Sequence, residues 1–390
     1  MIKKYGLLLA ALFISFVSYS QPDPVVLPSY LHLGADSSQN KLLIYSINGF
    51  LQQSVRPIKE NTYVLPENLP ETVALIDEIK GMENGKSADE KKVFKCYLTN
   101  VMMLDSTSFL IQLSYIKSDV SASVLRLSFK LLAKKANGQF YFSSPLKRNT
   151  AAWKMKKMGD FMLYYKTSLQ TAAVNNYVKK ALEFDVKLNT PAYTTLIYYC
   201  DDLQEELNLL GIDYKLDYNG YSYGGFSAFE GGVDLKVTCE NNLNPFPYDI
   251  HDLWHDRLHH AVSRTIVNKP VDEACAYLYG GSWNISWNDI FKKFKAYMGT
   301  NKDWLTAFTE NKNFGDDQRT HLYVSYVIDA LIVQKIEKEK GFQDVMELLT
   351  CGKKQSDDAN YFAALNKITG INKSNFNVEV EKLVENEQVK

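Results

Sequence analysis

The sequence predicts an α+β protein: a small N-terminal domain of helix plus antiparallel sheet, then a lobe in which strands and helices alternate, then a helical C-terminal lobe. Three observations carry this. Residues 93–143 alternate apolar and polar in short runs, VFKCYLTN, SFLIQLSYIK, VLRLSFKLL and GQFYFSS, separated by turn-formers such as Asp105-Ser106 and Asn137-Gly138. From residue 161 strand-like and helix-like runs take turns. From Pro247 onward the apolar spacing is mainly helical.

The elements follow in order. Residues 22 to about 46, with Pro22, Pro24 and Pro28, read as a lead-in without regular structure. Pro70 to Lys80 reads as a helix, because Pro70 suits a first turn and Val73, Ile76 and Ile79 recur at helical spacing. Four antiparallel strands over 93–143 complete the first domain. The proline and basic run of Pro145–Lys157 mark a boundary, which gives domains at 21–150 and 158–352 and a C-terminal helical tail at 353–390. In the second lobe FMLYYK (161–166) is a strand and Ser168–Phe184 a helix with Val174, Val178, Ala181 and Leu182 on one face. TTLIYYC (194–200) is a strand, DDLQEELNLLG (201–211) a short helix with a glycine cap, and GGVDLKVTC (231–239) a strand. Helices are expected over 287–298, 320–340 and 341–350.

Composition narrows the class. A chain of 390 residues with 46% hydrophobic and 23% charged residues can bury a substantial core. A net charge of −1 gives no electrostatic reason to expect a nucleic-acid partner. The first twenty residues carry Lys3 and Lys4, an apolar run from Gly6 to Val17, and Ser18 and Ser20 ahead of Gln21, the pattern of a cleaved export signal. The expectation is a signal peptide at 1–20, an exported (periplasmic or secreted) mature protein, and no stable membrane span. Cys96, Cys200, Cys239, Cys275 and Cys351 are far apart, with no CxxC; at most one or two bridges are expected.

Four of the six histidines lie in HDLWHDRLHH, residues 251–260. Asp249 suits the N-cap of a helix there. Residues four apart share a helix face, so His251, His255 and His259 form a column. Two imidazoles one turn apart can grip a zinc ion, and the residue after the first can hold a carboxylate near a water on that ion. The stretch offers this twice: His255-Asp256-Arg257-Leu258-His259 and His251-Asp252-Leu253-Trp254-His255. The later frame is preferred, because His259 is nearer the loop that returns to PVDEACAYLYGG (270–281). There a helix should start near Asp272 and end at Gly280-Gly281, bringing up Glu273 as a third ligand.

HDRLH followed by DEACAYLYGGS resembles the gluzincin zinc metallopeptidases, in particular the peptidase MA-like family, with HDxxH in place of HExxH. The second motif is the more specific, matching in Glu273, Ala276, Tyr277, Gly280, Gly281 and Ser282, and the resemblance covers roughly residues 160–352. It implies a zincin-like lobe, one Zn2+ held by His255, His259 and Glu273, and Asp256 in the general-base position. Tyr326 is the implied oxyanion donor, with Tyr323 and His321 as neighbouring candidates. It also implies an edge strand at Val233–Thr238 against which a peptide or protein substrate lies. His251 then falls one turn outside the metal. Asp256 is one methylene shorter than glutamate, which leaves two expectations open: hydrolysis of peptide bonds by a metal-activated water, or a catalytically impaired peptidase-fold protein acting as a binding or scaffold module. Cys275 reads as a packed thiol.

Overall fold

The computed structural model describes residues 24–33, 36–84, 93–118, 123–221, 224–239, 248–315 and 320–387. The expected export signal lies outside them. The protein is α+β, with sheet concentrated in its N-terminal part and helix in its C-terminal part. Among the described residues no helix is long and apolar enough to cross a membrane. The chain forms two compact units, residues 1–153 with 196–239, and residues 154–195 with 240–390.

The first unit opens with α1 (Ser37–Ser54), inside the stretch whose prolines and polar residues read as an unstructured lead-in. Asp36 caps it by accepting from the Gln39 amide at 2.8 Å, and Leu43, Ile47, Phe50 and Leu51 recur on the buried face. Helix α2 (Leu69–Asn84) brackets the expected 70–80. Strands β1 (Lys95–Met103), β2 (Ser108–Ser118), β3 (Ser123–Ala136) and β4 (Gln139–Ser143) form an antiparallel meander in chain order. Its inward side chains Leu98, Ile111, Leu113, Phe129, Leu131 and Phe142 share one core with α1 and α2. After the single turn of α3 (Leu146–Asn149) the chain leaves this unit and returns through β7 (Thr194–Cys200).

The return segment then stays. Helix α5 (Leu203–Leu210) is capped by Asp202, which accepts from the Glu205 amide at 2.8 Å. β8 (Ile212–Lys215) adds to β3 by pairing Ile212 with Phe129 and Lys215 with Leu127. β9 (Gly225–Glu230) and β10 (Val233–Cys239) form a hairpin, with β7 on the other side of β10. Residues 196–239 therefore belong with the first unit, and the strand Val233–Thr238, expected at a sheet edge, is flanked on both sides; β9 is the outer strand.

The second unit begins with the hairpin β5 (Lys154–Met158) and β6 (Phe161–Tyr165), then α4 (Thr171–Leu188). After residue 248 it is helical: α6 (Ile250–Ala261), α7 (Lys269–Gly280), α8 (Trp287–Met298), α9 (Trp304–Glu310), α10 (Val324–Lys340), α11 (Phe342–Leu349), α12 (Ala359–Thr369) and α13 (Phe376–Asn386). Helix α10 is buried around its circumference, through Val324, Val327, Ile328, Leu331, Ile332, Val333 and Ile336, and so forms the axis of the unit. α7, α9, α11 and α13 pack on it. The 353–390 segment is built into this body: Phe376 stacks edge-on to Phe308, and the Trp304 indole donates to Glu381 at 2.7 Å.

Candidate metal centre

Helices α6 and α7 position the site. Asp249 caps α6 by accepting from the His251 amide at 2.8 Å. Leu253, Trp254, Arg257 and Leu258 face inward and fix the helix rotation. Trp254 is fully enclosed, edge-on to Phe184 and beside Tyr279. Arg257, from the middle of HDRLH, is 1% exposed and packs over the rings of Phe161 and Tyr193 rather than facing solvent. The remaining face presents His251 and His255 to α7.

Glycine sets how close α7 comes. A Cβ at Gly280 would lie 2.7 Å from the His251 backbone nitrogen and 2.8 Å from the Ile250 carbonyl carbon, so a side chain there would push the helices apart. Gly281 has φ +78°, a left-handed conformation that favours glycine. Its carbonyl accepts a 2.8 Å hydrogen bond from His251 Nδ1.

That contact fixes the His251 ring. A carbonyl can only accept, so Nδ1 carries the hydrogen and Nε2 turns its lone pair away from it. His255 is held in the same way, its Nδ1 2.8 Å from Asp272 Oδ1, which also accepts from the Trp254 indole at 3.0 Å. Both Nε2 atoms then meet 3.3 Å apart. Glu273 Oε2 lies 3.5 Å from His251 Nε2 and 3.8 Å from His255 Nε2. Histidines tied through one ring nitrogen to a carboxylate or carbonyl, with the other nitrogens converging, are the usual preparation of a metal site. Zinc–nitrogen bonds of about 2.05 Å at tetrahedral angles place two ligand nitrogens ~3.4 Å apart. The observed separations fit a zinc-sized ion with little rearrangement.

The electrostatics agree with a mutually stabilised group. Burial disfavours charge on His251, but the hydrogen bonds to Glu273 and Gly281 outweigh it and its pKa is raised. Burial likewise opposes charge on His255, and Asp272 followed by Glu273 overcomes it, again raising the pKa. Glu273 is lowered: burial pushes it up, but His251, His255 and Lys269 pull it down further.

The preferred sequence frame does not come together. His259, expected as a ligand, is not in the convergent group of His251, His255 and Glu273. Its Nδ1 is enclosed without a hydrogen-bond partner, and burial lowers its pKa. The earlier frame is the one that converges, which puts Asp252 rather than Asp256 after the first converging histidine. A cavity of about 550 Å³ opens on the group, lined by His251, Asp252, Glu273, Trp283, Tyr323 and Tyr326 among others; Asp256 is not part of its wall. Tyr326, the expected oxyanion donor, therefore faces the same space as Glu273. Buried Tyr277 bridges to the far wall: its hydroxyl donates to the His321 carbonyl at 3.3 Å and accepts from the Tyr323 amide at 3.3 Å. Sequence reasoning missed the Trp283 indole, which also donates to the His321 carbonyl, at 3.1 Å. Cys275 is fully buried, and the five cysteines are unbridged.

No protein-family model matches this chain, and no curated protein is significantly similar to it.

Proposed function

We propose that this chain is a zinc-dependent, peptidase-like hydrolase acting on peptide or protein substrates outside the cytoplasm, with His251, His255 and Glu273 as the metal ligands. One observation carries the reading: two imidazoles oriented by Gly281 and Asp272 present their free nitrogens to each other and to a half-buried carboxylate. Such a donor set suits Zn2+ and leaves a fourth position open. When bound, zinc supplies Lewis-acid polarisation of a carbonyl and acidifies a water.

The chain's own residues do the rest. Asp252, exposed at the cavity mouth, is placed to take a proton from a water and return it to a leaving amine. The Tyr326 phenol, kept neutral because burial raises its pKa, can donate to the substrate carbonyl oxygen as charge develops. Trp283 and Tyr323 form apolar wall for a side chain of the substrate.

A second reading rests on Asp252. Its carboxylate stands one methylene short of the glutamate usual at that place, and an ångström of misplacement can cost on the order of a hundredfold in rate. On that reading the chain keeps the metal and serves as a binding or scaffold module.

The test is metal content and casein hydrolysis of the full chain purified without chelator, beside three variants. His251→Ala should lose the ion at this site and His259→Ala should keep it; the reverse pattern would restore the later frame. Activity abolished in Asp252→Ala supports the hydrolase, zinc without activity in the wild type supports the binding module, and no zinc at the histidines sinks both.

A further inference from the structure

The first unit holds a second group of side chains that could hold a metal ion, separate from the histidine group. Cys200 ends β7, Cys239 ends β10 and Glu206 lies on α5; they are 1%, 0% and 3% exposed. Cys200 Sγ is 3.8 Å from Cys239 Sγ, and Cys239 Sγ is 3.3 Å from Glu206 Oε2. One ligand atom from each residue lies within 4.8 Å of the others.

We propose that Cys200, Cys239 and Glu206 bind a structural Zn2+ ion. Zinc–sulfur bonds of about 2.3 Å at tetrahedral angles set two thiolates ~3.8 Å apart, and a thiolate and a carboxylate oxygen ~3.5 Å apart. Cys239 already stands close to those separations from both Cys200, at 3.8 Å, and Glu206, at 3.3 Å, and the third pair lies within 4.8 Å. A disulfide needs the sulfurs at about 2.05 Å and gives Glu206 nothing to do. Two thiols with a hard oxygen suit zinc better than monovalent copper, which prefers sulfur alone.

Glu206 strengthens the case. A carboxyl enclosed this deeply is costly unless it is paired or neutral. Glu206 is 3% exposed, and the contact its Oε2 makes is with the Cys239 sulfur at 3.3 Å. A divalent ion would supply the missing positive charge. Binding would displace the protons that the two thiols and Glu206 carry and leave a zinc bis-thiolate carboxylate of net charge −1. The ion would clip β7, α5 and β10 together, and its binding energy would become folding energy of that unit.

The experiment is a Co2+ titration of the full-length chain, kept reduced with a phosphine and stripped of metal. Sulfur-ligated cobalt gives an intense near-ultraviolet charge-transfer band that a His-His-Glu site does not. Wild type should develop the band to saturation at one equivalent of the sulfur site, and Zn2+ should abolish it. His251→Ala should retain the band, which separates this site from the histidine site. Cys239→Ser should lose it, and Glu206→Gln should weaken the site at least tenfold. A wild-type chain with all thiols free and no band overturns the proposal without any variant having to fold. So does a Cys200–Cys239 disulfide found by non-reducing peptide mapping of protein isolated without reductant.

Discussion

Gly280→Ala tests whether the distance between α6 and α7 sets the metal centre. The added Cβ would sit 2.7 Å from the His251 backbone nitrogen, where ordinary contact begins at 3.4 Å. The obstacle is backbone, so a rotamer change cannot relieve it, and the helices must separate by about 0.7 Å. Metal-ligand distances tolerate only about 0.2 Å. The displaced backbone is that of His251, and Glu273 sits on the opposing helix. Zinc affinity at the histidine site should therefore fall roughly tenfold to a hundredfold, the usual scale when a metal site's supports are disturbed. Crowding should also cost about 1–3 kcal/mol of stability. The assay is competition with a chromophoric zinc chelator, paired with urea unfolding of the metal-free protein. Gly81→Ala is the matched control: it sits in helix α2 with nothing within 4 Å of its would-be Cβ, and should leave zinc binding alone while stabilising by up to about 1 kcal/mol. If Gly280→Ala binds zinc as tightly as wild type and unfolds at the same urea concentration, helix spacing does not set this site.

Asp272→Asn removes the charge that orients His255 through a 2.8 Å contact, and should weaken zinc about tenfold to a hundredfold while leaving the three ligands in place, as competition titration would read. Because the pKa values of His251 and His255 are both raised, protons should compete with zinc from above the ordinary histidine value of 6.5 downward. Affinity should fall with falling pH by up to two protons per ion, measured by calorimetry in buffers of different ionisation heat. Asp329, wholly buried, accepts from the Tyr361 hydroxyl at 2.5 Å and is pushed up to about 7 by burial. The folded state thus keeps a proton that the unfolded chain releases near 3.8, so this group's contribution to stability is full at low pH and is lost as pH rises from about 4 to 7. Asp329→Asn mimics the protonated form. It should flatten that dependence and stabilise at pH 8 by at most on the order of 4 kcal/mol in denaturant titration; equal pH profiles would refute it.

Much of the fold was legible because the relevant side chains repeat with a period. The meander of β1 to β4 alternates over most of its length, interrupted by register shifts at Leu98/Asn100 and Tyr115/Ile116, and β7 and α8 coincide with their expected runs. Helix α1 was hidden because its first turns are Ser, Gln, Asn and Lys, and only Asp36 and the Leu43–Phe50 spacing mark it. β8, only four residues long and directly after the helix cap Gly211, and β9, flanked by glycines, carry too few apolar positions to stand out. Both are strands because a neighbour supplies hydrogen-bond partners. The same long-range pairing, Ile212 with Phe129, takes residues 196–239 into the first unit, and no local signal announces a chain that leaves a domain and comes back.

The convergent group of side chains was legible down to a choice of frame. HDLWH and HDRLH are chemically equivalent as strings, and proximity to the return loop argued for the second. Two features that spacing does not weigh favour the first. Each step of four along an α-helix turns the side chain by about 40°, so across His251, His255 and His259 the column drifts by about 80° and one partner carboxylate cannot serve all three. Which pair it serves depends on where α7 is seated, and Gly280 seats it against the first turn of α6, at His251. Gly281 then offers its carbonyl to His251 and Asp272 its carboxylate to His255, while His259 Nδ1 receives no such orienting bond. The glycine pair that looked like a helix terminator thus selects which side chains converge: Gly280 brings the two backbones together, and Gly281 turns the first ring toward the second.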